Sequence, residues 1–430
     1  MRLKFLFLFC LSYNITSVLY AQRSLSDFID SAQRNSPLIK DNQNQSKAYQ
    51  LEIERLKAQF TKPQVGITGN YLFAPILSTD NNTTKIELNS KGAQDYYGQD
   101  LGLTNGGQYQ GLVTVTIPMF YQERYKAYEE QAQVASLVNQ NNIKLAIHDI
   151  EKFVIDQYIL CLLDLQQTKY AKEVLNLLEQ QRVIVQKLVS SALLKQSDLS
   201  LLNIEYNNFK SQLVISKATY RRNLMDLKIL AGIRDTSLVE LDSLALTPRA
   251  DAFSNNSQYL ERFRLDSLNL TATQKIFETR YKPQVNVFAN SGLNASNIST
   301  LPRRFGIGAG VSVTWNFFDG NQKAITRKKT NLLLQSVAAY RDNFLAINDL
   351  RKNKFITELE SYKERASLTQ QQLNEYQFVI NSYRRELLSG QQSVINFINT
   401  IRNMGLIQRD YLLLQTNQLL LINAYNYWNW

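Results

Sequence analysis

Residues 305–317 read Phe305-Gly306-Ile307-Gly308-Ala309-Gly310-Val311-Ser312-Val313-Thr314-Trp315-Asn316-Phe317. Every odd position is apolar, and every even one is Gly, Ser, Thr or Asn. A period of two belongs to extended backbone, whose successive side chains point to opposite faces. One apolar and one small or polar face over about ten residues is the pattern of a lipid-facing barrel strand. The half-buried strand of a soluble sheet shows the same alternation, and that alternative stands at this point.

Three more stretches alternate in the same way. Val65, Ile67, Tyr71 and Phe73 alternate with Gly66, Thr68, Asn70 and Leu72. Val113, Val115, Ile117 and Met119 do so with Leu112, Thr114, Thr116 and Pro118, and Val285, Val287 and Ala289 with Asn286, Phe288 and Asn290. On this pattern Val113, Val115, Val311, Val313 and Trp315 are expected to face lipid. Aromatic residues near the strand ends, namely Tyr71, Phe73, Phe120, Tyr121, Trp315 and Phe317, suit an interfacial girdle. Residues 74–108 read as a long exposed connection, because Asp80-Asn81-Asn82 and Gly106-Gly107 are turn formers.

Between and after the strands the helix breakers vanish. No proline occurs from 119 to 247 or from 303 to 430, and no glycine from 112 to 231. Inside a helix Pro costs roughly 3 kcal/mol and Gly about 1 kcal/mol relative to Ala, so such tracts read as very long helices. Ile143, Ile147, Ile150, Val154, Cys161 and Leu165 step mostly by threes and fours, with Gln, Asn, Lys and Glu on the other faces. Each tract breaks once, at Ser190-Ser191-Ala192 and at Leu387 to Gln391. Gln122 to Val189 and Asn321 to Leu388 are each 68 residues, or about 100 Å of helix. Each tract is therefore expected to be a coiled-coil-type hairpin, one helix running out and another returning.

The chain is also a tandem repeat. Lys62-Pro63-Gln64-Val65 recurs as Lys282-Pro283-Gln284-Val285, and Val113-Thr114-Val115-Thr116 as Val311-Ser312-Val313-Thr314. The expected organisation is a signal peptide at 1–21, a first repeat at 22–232, a linker at 233–256 and a second repeat at 257–430. Each repeat holds a helix, two strands and a long helical hairpin. Arg2 and Lys4, the apolar run Phe5 to Leu11 and the small Ala21 before Gln22 make the export signal. Phe9 precedes Cys10, where a lipobox needs a small residue, so no lipid anchor is expected.

Composition excludes other classes. The 430 residues carry 48 Lys+Arg against 37 Asp+Glu, a formal charge of +11, with 44% hydrophobic residues; a mean hydropathy of −0.29 is not that of a polytopic helical membrane protein. Two cysteines and one histidine leave no zinc cluster, no disulfide scaffold and little nucleophile–base chemistry. We expect no enzyme, no metal and no cofactor. The cations form no aromatic-interleaved cluster, so nucleic acid is not an expected partner. Gly306-Ile307-Gly308-Ala309-Gly310 lies inside a strand and lacks the Lys-Ser of a phosphate loop. His148 reads as a surface or groove histidine, Cys161 as a packed core thiol, and Tyr411–Trp430 as the end of a returning helix, not a membrane span.

Asn35-Ser36-Pro37-Leu38 opening a helix, Lys-Pro-Gln-Val ahead of each first strand, and Phe317-Phe318-Asp319-Gly320 at the strand-to-helix junction complete a pattern. In their order and duplicated spacing these motifs resemble the TolC family of outer membrane efflux proteins, over essentially the whole mature chain. The resemblance implies an α+β membrane protein: a protomer of two long helical hairpins and four strands. Three copies would close a 12-stranded barrel continuous with an α-helical tunnel in the periplasm. Physics points the same way, since four strands with open edges cannot stand in lipid and twelve leave a lumen where eight would fill.

By the same resemblance the chain is the outer membrane duct of a tripartite efflux or type I secretion system in a Gram-negative bacterium. Its partners would be two further copies, outer membrane lipid, a periplasmic adaptor and an inner membrane pump. The adaptor would dock at Ala192, Leu193, Leu194, Ser389 and Gly390. The family's ring of acidic constriction residues falls on Asn396 and Asn399, where this chain carries amides. A periplasmic coiled-coil scaffold or adhesin-like structural protein is the other class to weigh.

Overall fold

The structure is a computed structural model that describes residues 24–73, 75–79, 83–87, 96–97, 107–250, 257–296, 298–389 and 391–430. The expected signal peptide, part of the expected linker, and Gly390 lie outside the described residues. In chain order the main elements are α1 (Leu25–Asn35), α2 (Pro37–Thr61), β1 (Gln64–Phe73), β2 (Ile76–Ser78), β3 (Lys85–Glu87), β4 (Tyr96–Tyr97), β5 (Gly107–Met119), α3 (Gln122–Ser190) and α4 (Gln196–Leu230). They continue with α5 (Gln258–Thr279), β6 (Gln284–Ala295), β7 (Phe305–Thr314), α6 (Gln322–Leu388) and α7 (Val394–Trp428).

α3 has 69 residues and α6 has 67, each about 100 Å of helix, as the breaker-free tracts predict. α4 and α7 have 35 residues apiece, so each returning helix is half as long as the expected hairpin requires. The first stop has a visible cause. Gly232 adopts φ +64°, the left-handed conformation that ends helices, and the Ile233 N–H reaches back to the Lys228 carbonyl at 2.8 Å. The Asn35 amide donates to the carbonyls of Ala231 and Gly232 at 3.1 and 3.2 Å, which satisfies acceptors that the helix end leaves open. The Asn35-Ser36-Pro37 motif thus does two jobs. Asn35 caps α4, while Pro37 takes the first position of α2, where a missing N–H costs nothing.

Two units divide the chain. The first holds residues up to Lys40, Lys144–Ser257 and Leu345–Trp430; the second holds Asp41–Ile143 and Gln258–Phe344. Each draws on both of the expected repeats.

The second unit contains the sheet. Its order is β1-β5-β6-β7, every neighbouring pair antiparallel. Gly292 of β6 lets the strands approach closely: its φ is +157°, and a Cβ there would lie 2.1 Å from the Gly111 carbonyl oxygen. Leu56 and Phe60 of α2 pack on Ala132 of α3, with Tyr125 and Tyr128 around them. The connection 74–108 is not bare loop, because β2, β3 and β4 form a small sheet of their own in the order β3-β2-β4.

In the first unit, one cluster joins Val185, Leu199, Leu202, Leu387, Val394, Phe397 and Ile401 from α3, α4, α6 and α7. The second joins Phe28, Val154, Tyr158, Cys161, Leu224 and Leu227. The chain after α4 is laid over it by hydroxyls: Tyr158 donates to the Asp242 carbonyl at 2.8 Å and Tyr220 to that of Val239 at 2.6 Å. Lys228, almost wholly buried, donates to the Ser237 carbonyl at 2.6 Å and pairs with Asp235 at 3.4 Å.

Candidate channel site

Strand register decides which side chains share a face. Across β1–β5, Val65 stands opposite Val115 and Ile67 opposite Val113. Across β5–β6, Val115 meets Ala289 and Ile117 meets Val287. Across β6–β7, Val287 meets Val311 and Val285 meets Val313. Directly opposed residues lie on one face of an antiparallel pair. The four alternating sets therefore fall on a single face of one sheet, and Val113, Val115, Val311 and Val313 all belong to it. A slip of one residue at any ladder would have split them. Ile67 is 82% exposed and Ile307 84%, and Val65, Val113, Val287, Val311 and Val313 are exposed as well, so most of this apolar surface is uncovered among the described residues. On the opposite face stand Thr68, Asn70, Gln110, Thr114, Asn286, Asn290 and Ser312, with Phe288 lying under Gly310.

Trp315 lies past the last strand, which ends at Thr314 and not at Phe317 as the alternation implied. The ladder runs out because its partner β6 begins at Gln284, after Pro283, and a proline has no N–H to continue it. The indole N–H of Trp315 instead donates to the Tyr281 carbonyl at 3.1 Å. Phe120, Trp315, Phe317 and Phe318 are all exposed at this end. Tyr71 and Phe73 lie at the other end, where the Tyr71 ring sits 4.8 Å from that of Tyr109. β1 and β7 close the order on either side, each with one neighbour.

The two tips come together in the first unit. Ser190 ends α3 and Gln196 starts α4; between them Ala192 adopts φ +57°. Leu193 is 70% exposed, whereas Leu194 is half-buried against the four-helix cluster. Ser389 is exposed after α6. Just inside the second tip, Phe397, Ile398 and Ile401 fill the cluster while Asn396 and Asn399 face away from it, both exposed. Asn396 donates to the Gln392 side chain at 3.0 Å. Three residues apart on a helix, the two amides are neighbours. Nearby, the buried Glu205 carboxylate of α4 is held by Arg402 of α7 at 2.6 Å, and Arg384 of α6 donates to Gln180 of α3 at 3.2 Å.

Sequence reasoning misplaced His148. It is buried and sandwiched between Tyr427 and Trp430, with ring centroids 4.8 and 4.0 Å away and nearly parallel planes. Its Nε2 lies 2.9 Å from the Tyr427 carbonyl. Burial pushes the imidazole pKa down, only partly opposed by that hydrogen bond and by Glu151 and Asp149. Cys161 is fully buried, as expected of a core thiol, and burial pushes its pKa up. Among the described residues no helix is long and apolar enough to cross a membrane, and no cluster of His, Cys, Asp and Glu could hold a metal ion.

No protein-family profile matches the chain, nor does any curated protein sequence. Solved structures do. The outer membrane protein VceC of Vibrio cholerae is 13% identical, with 94% of this chain and 95% of that one covered at a TM-score of 0.69. CusC, a transmembrane channel, is 12% identical over 95% and 92% at 0.68. The open-state MtrE outer membrane channel of Neisseria gonorrhoeae is 11% identical over 94% and 88% at 0.67. Identities this low speak for architecture alone, and in architecture this chain has the fold of the TolC-type outer membrane efflux channels.

Proposed function

We propose that the chain is a passive outer membrane duct, three copies of which close a 12-stranded barrel over a helical periplasmic tunnel. The observation that carries this reading is the sheet: four strands in one register, one exposed apolar face, and two edges with a neighbour on one side only. Unpaired backbone groups at such edges cost several kcal/mol each in hydrocarbon. Pairing β7 of one copy with β1 of the next satisfies them all, and rotation about a threefold axis closes the ring. The likeness to outer membrane channels supports the same reading.

In this account the duct does no chemistry. Val113, Val115, Val311 and Val313 meet lipid, while Thr114, Asn290 and Ser312 line the lumen. An inner membrane pump delivers the cargo, and a periplasmic adaptor grips the tips through Ala192, Leu193, Leu194, Ser389 and Gly390. Asn396 and Asn399 ring the constriction. Six amides in a trimer hydrogen-bond to what passes but hold no charge, so the cation selectivity that a carboxylate ring would give is absent. The reading is tested by fractionating cells and measuring the mass of the detergent-solubilised protein. A trimer in the outer membrane fraction is expected. A folded monomer, or a protein found only in the soluble periplasm, would favour a coiled-coil scaffold.

A further inference from the structure

One end of the sheet carries more positive charge than its own ion pairs use. Gln64 opposite Thr116, Met119 opposite Val285 and Gln284 opposite Thr314 place the start of β1 and β6 and the finish of β5 and β7 together. The segments that leave this end bring Lys62, Lys126, Arg280, Lys323, Lys328 and Lys329 to it. Two more cations here are paired: Arg327 holds Glu278 at 2.6 Å, and Lys282 holds Glu123. None of the six is in an ion pair among the described residues. Two lie over rings instead, Lys323 at 5.2 Å from the Tyr281 centroid and Arg280 at 5.5 Å from that of Phe277.

Helix stability does not ask for this charge. The first turn of α6 holds no acid. Asp319 just before it accepts from the Lys323 backbone N–H at 2.7 Å. It is the one acid at this helix start among the described residues, and the partial positive charge of a helix start disfavours cations. Their placement relative to the apolar face offers another cause. Phe120, Trp315, Phe317 and Phe318 ring the same end, all exposed, and aromatic rings of this kind settle at the headgroup level of a bilayer. Side chains on a helix tilt towards its N-terminus, so Lys328 and Lys329 lean back towards the sheet. Their stems can lie along apolar surface while the ammonium groups reach out.

We propose that this end of the sheet binds the phosphates of anionic phospholipids in the leaflet it meets, Lys62, Arg280, Lys328 and Lys329 forming a cationic collar below the aromatic ring. This rests on the reading of the sheet as membrane-spanning. An apolar band, an aromatic ring and then unpaired cations follow in the order in which a bilayer presents chains, interface and headgroup phosphate. Each cation near an anionic surface contributes about 1 kcal/mol, roughly a fivefold preference.

The experiment reconstitutes the full protein in phosphatidylethanolamine vesicles with one tenth spin-labelled phosphatidylglycerol or spin-labelled phosphatidylcholine. The motionally restricted lipid fraction is then compared. The wild type is expected to enrich phosphatidylglycerol over phosphatidylcholine roughly fivefold or more. The variant K62Q/R280Q/K328Q/K329Q should lose most of that preference. The variant K172Q/K187Q/K217Q/K363Q, which removes equal charge from exposed positions on α3, α4 and α6, should keep it. Equal loss in both variants, or no preference in the wild type, would overturn the collar while leaving the channel reading intact if the protein still conducts. Failure of the wild type to insert would overturn both.

Discussion

Val311 of β7 stands directly opposite Val287 of β6 within the ladder, whereas Val313 opposite Val285 lies one pair from its end. If the sheet spans a bilayer as proposed, depth follows from that difference. Arg in place of Val311 should destabilise the assembled barrel by about 2–4 kcal/mol, and in place of Val313 by about 0–1 kcal/mol. Ser312→Arg, on the opposite face between them, should be tolerated. Urea unfolding in vesicles measures all three. Equal losses at 311 and 312 would contradict the assignment of faces.

How much of this was legible beforehand follows from the range over which each feature is determined. The alternation at 305–314 and the breaker-free runs of α3 and α6 are local, so sequence alone reveals them. The breaks at Ser190–Ala192 and Leu387–Gln391 are local too, and each is where a helix stops. What sequence missed depends on distant partners. α4 stops where Gly232 meets Asn35, and β7 ends because β6 starts after Pro283. His148 is buried because Tyr427 and Trp430 fold over it. β2 to β4 are two or three residues each, too short to carry a period. For the channel surfaces, the apolar face was readable, but the register that unites it was not. The amides at Asn396 and Asn399 were readable only through resemblance.

Asn35→Ala removes two hydrogen bonds to the end of α4, one to the buried Ala231 and one to the exposed Gly232, and should cost about 1 kcal/mol. Gly232→Ala should cost at least as much, because an added Cβ would stand 2.6 Å from Asn35 Cβ at a positive φ. Denaturant unfolding of the single and double variants gives the coupling. Strict additivity would mean that the two residues do not act on one helix end.

The single histidine of the chain makes a pH test clean. Burial lowers the folded-state pKa of His148, so the unfolded chain takes up its proton first. Stability should therefore fall as pH drops below about 6.5, and level off once the folded state also protonates. His148→Phe keeps a ring between Tyr427 and Trp430 and should flatten the profile between pH 7 and 5. An unchanged slope in the variant would show that another group titrates there.

At the first tip, a photo-reactive residue in place of Leu193 should capture a periplasmic adaptor in cells. Crosslinks found only between copies of this chain would remove the docking role. Ala192→Gly should raise stability by about 0.5–1 kcal/mol, because glycine accepts the φ of +57° that costs an alanine.

The proposed amide constriction would have a direct electrical signature. Wild-type channels should be blocked weakly by a trivalent cation added from the tip side. Asn396→Asp with Asn399→Asp should create tight, salt-sensitive block. Tight block of the wild type, or no gain in the double variant, would place the constriction elsewhere.

Copies of this chain are expected to enclose a pore through a bilayer. Purified protein added to one side of a planar lipid membrane should produce discrete, uniform current steps that persist under applied voltage. Membrane association without such steps, across preparations verified as folded, would contradict the account.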